Sequence, residues 1–243
     1  MEDQKLAVPE QKLTVGDGIL AMLNAPIDPK SAARRVPAPL SWVWPVIVLL
    51  AIYCGVGILT APYAISIGDA QIAQRGIPPE QAENARRLLH IIAQITPFLT
   101  PIVVVLAIAL FAWLVGVTGS MAGLRTKFRD VYALMASCAL IIALQAIAVI
   151  IVVRAKGDEI TSQEQLTPPF GLDLLLPNAH GVLFALLNFF SIFEVWYLIV
   201  LTFGLAYLAK VSKGKAFFAI TPAWVLPLLF RVVQAMLQPG TAQ

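Results

Sequence analysis

The sequence predicts an all-α fold: a polytopic membrane helix bundle of about five transmembrane helices, with short amphipathic interfacial helices. Of the 243 residues, 59% are hydrophobic and only 13% are charged, whereas a soluble domain carries about 25% charged residues. The mean hydropathy is +0.81. The hydrophobic residues fall into runs long enough to cross a hydrocarbon core about 30 Å thick, which takes about 20 residues of helix. This composition excludes an ordinary soluble domain.

Five apolar runs define the predicted domain organisation. Residues 1–39 form a cytoplasmic N-terminal segment with an interfacial helix, residues 40–237 form the membrane domain, and residues 238–243 form a tail. The predicted spans are 40–65, 94–117, 131–153, 191–209 and 216–237. The net charge of +3 is small and the positive residues concentrate in short loops. The charge therefore indicates membrane topology rather than nucleic-acid binding.

The segment from Val15 to Ala25 is predicted to be a short helix lying on the cytoplasmic leaflet. Ile19, Leu20 and Leu23 form its apolar side, as expected of an interfacial helix. The alternative is a loop with incidental hydrophobic residues, because the segment is short for a helix that stands alone.

The polar segments before the second and fourth spans are predicted to lie outside. Pro78 and Pro79 begin a helix that leads into the second span, and His90 is expected to be an interfacial residue rather than a metal ligand. The segment from Arg154 to Gly181 is the most polar one inside the chain. Val182 to Asn188 is predicted to be an amphipathic piece on the outer surface, followed by a turn into the fourth span.

The last two spans are predicted to form an antiparallel hairpin. The segment from Lys210 to Lys215 joins them, and it is too short for anything but antiparallel neighbours and too basic to enter lipid. Glu194 and Arg231 are equally far from its centre, so we expect them at equal depth in the outer leaflet. A lone charge at the bilayer centre costs about 2.5–3.5 kcal/mol, which a Glu194–Arg231 pair would relieve. The alternative is that each side chain reaches the headgroups separately.

The distribution of basic residues predicts a cytoplasmic N-terminus and an outer C-terminus. Short inner segments carry more Lys and Arg than outer ones, according to the positive-inside rule. The predicted inner basic residues are Lys30, Arg34, Arg35, Arg125, Lys127, Arg129, Lys210, Lys213 and Lys215. This orientation requires an odd number of spans.

Polar residues inside the spans are few. Gln145 lies near the middle of the third span, and we expect its amide to make a polar contact within the bundle. Cys54 and Cys138 fall inside apolar runs and are expected to be buried small hydrophobic residues.

The sequence has no motif that indicates catalysis or a cofactor. It contains no HExxH zinc motif, no GxSxG nucleophile turn and no phosphate-binding loop with its lysine. Catalysis within the membrane would need paired carboxylates or a Ser/His pair, and Glu194 is the single carboxylate inside a predicted span. We therefore predict a protein that is not an enzyme and that holds no metal or cofactor.

The hairpin resembles a known family. The family-like residues are Phe193, Trp196, Gly204, Lys210, Ser212 and Lys215. In this order and spacing they are similar to the last third of the Yip-domain family, membrane proteins first defined as partners of Ypt/Rab small GTPases, with many bacterial members. The segment from Ile19 to Pro26 and the pair Trp44-Pro45 are similar to the family's start, and the linker between the first two spans resembles the bacterial branch.

The resemblance implies a non-enzymatic bundle that recruits or organises partner proteins, in trafficking or beside a transport system. A bacterial cytoplasmic membrane is the implied location, and membrane lipids and a protein partner or a second copy are the implied partners. The expected surface for a partner or for lipid consists of Arg125, Lys127, Arg129 and Lys213. The alternative function is a carrier or channel for a small solute or lipid, which would need polar groups from several spans near the midplane.

Overall fold

The computed structural model describes residues 13–74, 76, 78–157, 166, 170–176 and 181–237. These residues form nine α-helices: α1 Val15–Asn24, α2 Pro29–Arg35, α3 Val43–Gln74, α4 Pro79–Met121, α5 Phe128–Cys138, α6 Leu140–Lys156, α7 Gly181–Phe189, α8 Ile192–Ala209 and α9 Lys213–Leu237. The predicted tail, 238–243, and most of the predicted outer segment between α6 and α7 lie outside the described residues.

Five segments are long and apolar enough to cross a membrane: α3, α4, the α5–α6 pair, α8 and α9. Large apolar side chains cover the outside of these helices; Phe98 is 60% exposed, Trp113 58% and Phe230 63%. An apolar surface of this kind is stable in contact with lipid and marks a membrane protein. The predicted all-α membrane bundle is confirmed.

Helices α3 and α4 are longer than the first two predicted spans. Helix α3 runs to Gln74, and α4 is one helix of 43 residues that joins the predicted outer helix to the second span. Where the two helices leave the apolar region, Asp69 links them. Its Oδ1 lies 3.8 Å from Nε of Arg86, and its Oδ2 lies 3.8 Å from Nε2 of His90. His90 therefore faces a carboxylate of the neighbouring helix.

Helices α3 and α4 are in close backbone contact at Gly57. A Cβ atom at this position would lie 2.8 Å from Cα of Pro97, which is shorter than real Cβ contacts. Small residues at helix crossings allow such backbone contact in membrane proteins. Glycine is therefore required at position 57 because a side chain would not fit there, and not because of the backbone conformation.

Helix α5 lies at the centre of the bundle, and its residues from Asp130 to Cys138 are buried. The predicted third span is divided at Ala139 into α5 and α6. The Ser137 hydroxyl donates to the carbonyl oxygen of Ala133 at 2.7 Å, and bonds of this kind often bend helices.

The two N-terminal helices pack against different parts of the bundle: α2 lies along α8, whereas α1 packs against α3 and α5. Ala21, Ala25 and Ala32 are fully buried. Nε1 of Trp196 donates to the carbonyl oxygen of Pro26 at 3.0 Å, and Nε of Arg34 donates to the hydroxyl of Tyr207. The two α8 residues are about 16 Å apart by helical rise. The predicted helix at Val15 is therefore formed, and a second helix follows it and lies along α8.

The N-terminus of α1 is held by a capping box. The backbone N–H and the hydroxyl of Thr14 both donate to Oδ2 of Asp17, at 2.7 and 2.9 Å. These two hydrogen bonds hold the pKa of the Asp17 carboxyl below its usual value, and Arg35, 3.8 Å away, lowers it further. The aspartate therefore carries its charge where the positive end of the helix dipole favours it.

Replacing Gly57 tests the crossing of α3 and α4. Gly57→Ala is expected to lower the free energy of unfolding by about 1–3 kcal/mol, because the new Cβ meets the Pro97 backbone and the helices must separate. Gly55→Ala is the matched control, since nothing lies within 4 Å of its Cβ. Thermal unfolding in mild detergent, followed by circular dichroism, compares the two. Equal stability of the two variants would contradict the close contact.

Candidate functional site

A cavity of about 250 Å³ lies among the spanning helices. We call it the charged cavity, because its wall includes Glu194 from α8 and Arg231 from α9. Most of the remaining lining is apolar or aromatic. The lining residues are Tyr53, Val104, Ala107, Ile108, Phe111, Met135, Ala139, Ile142, Phe189, Glu194, Tyr197, Leu201, Ile220, Ala223, Trp224, Pro227 and Arg231.

Glu194 lies in the first turn of α8, where the capping residue Ser191 accepts a hydrogen bond from its backbone N–H at 3.1 Å. Arg231 lies in the last part of α9, and its guanidinium carbon is 5.5 Å from the centroid of the Phe189 ring. Among the described residues, no nitrogen of Arg231 lies within 4.0 Å of a Glu194 oxygen.

The hairpin geometry brings both charged side chains to one cavity. Their direct ion pair is not formed, because Arg231 lies over Phe189 instead. The energetic coupling of Glu194 with Arg231 therefore stays a prediction.

Trp224 contributes a polar group to the same cavity. Its ring packs against Phe189 and Phe190, with centroids 5.3 and 5.6 Å away. Its Nε1 atom is buried and lies near the Glu194 carboxylate, although it makes no hydrogen bond of ordinary geometry among the described residues. Trp224 and Glu194 therefore belong to the same polar part of the cavity wall.

The cavity is polar at one end and apolar at the other. Along α9 its wall extends from Arg231 to Ile220, which is about 16 Å by helical rise. Ile108, Leu201 and Ile220 line the apolar part. The cavity can thus accommodate an elongated molecule with a charged end.

A second site lies at the opposite end of the bundle. An open cleft is lined by Lys30 of α2, Phe203 and Tyr207 of α8, and Lys210 and Lys213 of the following turn and α9. We call it the basic cleft. Sequence reasoning placed these lysines on one side of the membrane but missed their convergence, because the contact of α2 with α8 depends on tertiary packing.

Cation–π contacts order the walls of the basic cleft. Nζ of Lys213 lies 4.0 Å from the centroid of the Phe203 ring, and the guanidinium carbon of Arg34 lies 5.3 Å from that of Tyr207. Such contacts are worth about 0.5–1 kcal/mol at exposed sites. The cleft is therefore a partly ordered cationic surface.

The other predicted basic turn does not line this cleft. Nη2 of Arg129 donates to the carbonyl oxygen of Pro37 at 3.1 Å, and its Nε lies 3.3 Å from Oδ1 of Asp130. Arg125 and Lys127 are exposed. Arg129 thus joins the N-terminal segment to α5, whereas the other two face solvent or headgroups.

The family-like residues of the hairpin each have a local contact. Phe193 packs edge-on against Phe170 at 5.8 Å, and a Cβ at Gly204 would lie 3.0 Å from Cδ1 of Leu134. Lys210 ends α8 in the left-handed conformation, with φ of 54°.

Two serines make hydrogen bonds at helix ends: Ser212 at the start of α9 and Ser191 at the N-terminus of α8. The Ser212 hydroxyl accepts from the backbone N–H of Lys215 at 3.4 Å. Gln145 also has a partner, since its Oε1 accepts from the Ser191 hydroxyl at 3.4 Å. This contact joins α6 to the N-terminus of α8.

Comparison with known proteins places this architecture in a family. No curated protein and no solved structure matches the chain significantly. The Yip1 domain family matches residues 24–233, a range that begins at the end of α1 and includes α3, α4, the α5–α6 pair, α8 and most of α9, together with the charged cavity and the basic cleft. This match covers most of the chain, and the protein therefore belongs to the Yip1 domain family of membrane proteins.

Proposed function

We propose that this protein is a non-enzymatic membrane scaffold or adaptor that holds an acidic segment of a partner protein in the basic cleft. The convergence of Lys30, Lys210 and Lys213 beside Phe203 and Tyr207 carries the proposal. Like charges that share one cleft repel one another, so a negatively charged occupant is stabilised there.

A purely topological role would not require this cleft. The positive-inside rule needs only basic residues in the short loop, whereas Lys30 reaches the cleft from a separate helix. Helix α2 is held against α8 by the Arg34–Tyr207 hydrogen bond and by the contact of Trp196 with Pro26. This arrangement favours recognition of a partner over topology alone.

The chemistry of the basic cleft supports a binding role. Its lining residues are three lysines, two aromatic residues and two aliphatic residues, which together offer positive charge and apolar contact. The cleft can attract and position a negative group, which is what an adaptor requires.

We infer that the basic cleft faces the cytoplasm of a bacterial cell. The lysines of the turn between α8 and α9 lie at the same end of the bundle as Arg34, and short basic segments remain in the cytoplasm. The resemblance of the first linker to the bacterial branch favours the bacterial cytoplasmic membrane. The C-terminal end of α9 then faces the outside.

The charged cavity favours a second candidate function, a carrier for a lipid or small solute. Its α9 wall ends at Ile220, which lies about two turns from Lys213, the first residue of the helix. This cavity thus does not form a continuous path between the two ends of α9, as an open channel would require. The observation favours a carrier over a channel as the second candidate.

Binding of an acidic peptide tests the adaptor proposal. The purified protein is titrated with a fluorescently labelled hexaglutamate peptide, and anisotropy gives the Kd. The triple variant Lys30→Gln, Lys210→Gln, Lys213→Gln is expected to raise the Kd about 10-fold, because each exposed charge pair contributes about 0.2–1 kcal/mol. Binding should also weaken with added salt.

The control removes three charges outside the cleft lining, in Arg125→Gln, Lys127→Gln, Lys215→Gln. An equal loss of affinity in both triple variants would show that net charge alone attracts the peptide and would refute the cleft. Mass spectrometry of proteins that leave native membranes with each variant extends the test. A near-stoichiometric partner should be lost from the cleft variant and kept by the control. Loss of anionic lipid, with no protein lost, would instead make lipid the occupant.

Cysteine labelling tests the inferred orientation. Ser212→Cys lies in the basic turn, and Gly76→Cys lies between α3 and α4. On intact cells, a membrane-impermeant maleimide is expected to label Gly76→Cys at once and Ser212→Cys only after lysis. The unmodified protein is the control, since Cys138 is buried and Cys54 lies within α3. The reverse pattern would invert the topology.

A further inference from the structure

We propose that the charged cavity binds one zwitterionic aminophospholipid, with its ammonium group facing Glu194 and its phosphate facing Arg231. This site lies at the end of α8 opposite to the basic cleft, and the inference does not rest on the adaptor proposal. Two observations support it: the separation of the two charges and the apolar depth of the cavity.

The two opposite charges call for a ligand that also carries both signs. Glu194 and Arg231 line the same cavity, but they do not approach within 4.0 Å of each other. A ligand with an anionic group alone would face the Glu194 carboxylate, and a purely cationic ligand would face the Arg231 guanidinium. A headgroup with an ammonium and a phosphate places an opposite charge beside each.

The apolar part of the cavity fits an acyl chain. The wall extends about 16 Å along α9 from Arg231 to Ile220, past the side chains of Phe111 and Leu201. The volume of about 250 Å³ is below the range of about 300–1,000 Å³ for sites that enclose a whole drug-sized ligand. It accommodates part of one acyl chain beside the headgroup, while the rest of the lipid remains in the bilayer.

The direction of the cavity matches that of a lipid in a leaflet. Its charged end lies near the terminus of α9 and near the first turn of α8, while its apolar end lies deeper in the bundle. A small polar solute would leave the long apolar part of the cavity unoccupied. A phospholipid could enter from the leaflet with its headgroup already at the right depth.

Competition among lipids tests the inference on the unaltered protein. The detergent-purified, lipid-depleted protein is mixed with equimolar phosphatidylethanolamine, phosphatidylglycerol and amine-acetylated phosphatidylethanolamine of identical chains. Native mass spectrometry counts the retained lipid. One phosphatidylethanolamine is expected per protein, about 10-fold above either of the others, because these keep the phosphate but lack the ammonium. Equal retention of all three would overturn the zwitterion assignment.

Matched variants locate the site. Glu194→Gln and Arg231→Gln are each expected to reduce phosphatidylethanolamine retention about 10-fold, whereas Arg231→Lys should retain part of it. The controls are Glu83→Gln and Arg154→Gln, which lie outside the cavity lining and should leave retention unchanged. A loss in Arg231→Gln alone, with no change in Glu194→Gln, would show a site for the anion only and would refute the proposal.

A cavity-filling variant tests the position of the chain. Ala107→Phe adds a ring to the cavity wall and is expected to reduce retention of phosphatidylethanolamine about 10-fold. Its Tm in lipid-free detergent is measured beside that of the unaltered protein, to separate filling from unfolding. Unchanged retention by a folded Ala107→Phe variant would place the acyl chain elsewhere. If this variant does not fold, the lipid competition on the unaltered protein still decides the headgroup.

Discussion

The short turn between α8 and α9 fixes the alignment of these two helices, on which both the charged cavity and the basic cleft depend. Lys210 ends α8 in a left-handed conformation and its backbone N–H bonds to the carbonyl oxygens of Ala206 and Tyr207, while the Ser212 hydroxyl accepts from Lys215 at the start of α9. Because the turn is this short, the two helices cannot slide past each other. Their fixed alignment brings Glu194 and Arg231 to one cavity at the far end and holds the lysines together at the near end.

Small side chains allow the remaining helices to pack closely against this hairpin and against one another. In lipid, helices associate through close packing and hydrogen bonds, since apolar burial alone gives no preference for protein over lipid. Gly57 against Pro97, Gly204 against Leu134 and the buried alanines of α1 and α2 supply such contacts. The Thr118 hydroxyl adds a bond to the carbonyl oxygen of Ala219 at 2.6 Å, which joins α4 to α9. The bundle is held by close approach more than by large interlocking side chains.

The fold class could be predicted from the sequence because long apolar runs have few solutions in a membrane. The shared cavity of Glu194 and Arg231 follows from their equal distance to the turn, a local and countable property. The position of Lys30 in the cleft, the approach of Trp224 to Glu194 and the position of Arg231 over Phe189 depend on side-chain packing among separate helices. Hydrophobic periodicity contains no information on these contacts. The helix that begins at Pro79 leads into the second span, as predicted, since a change from polar to apolar residues does not interrupt backbone hydrogen bonds.

Helix α4 is longer than the membrane is thick. Its 43 residues extend about 64 Å, whereas a bilayer with its headgroups is about 40–45 Å thick. With the end of α3, to which Asp69 links it, an untilted α4 extends about 20 Å into the aqueous compartment beyond one membrane surface. A soluble molecule in that compartment can therefore contact a structured pair of helices. Pro97 and Pro101 lie between this projecting part and the rest of α4, at positions where proline commonly kinks a helix.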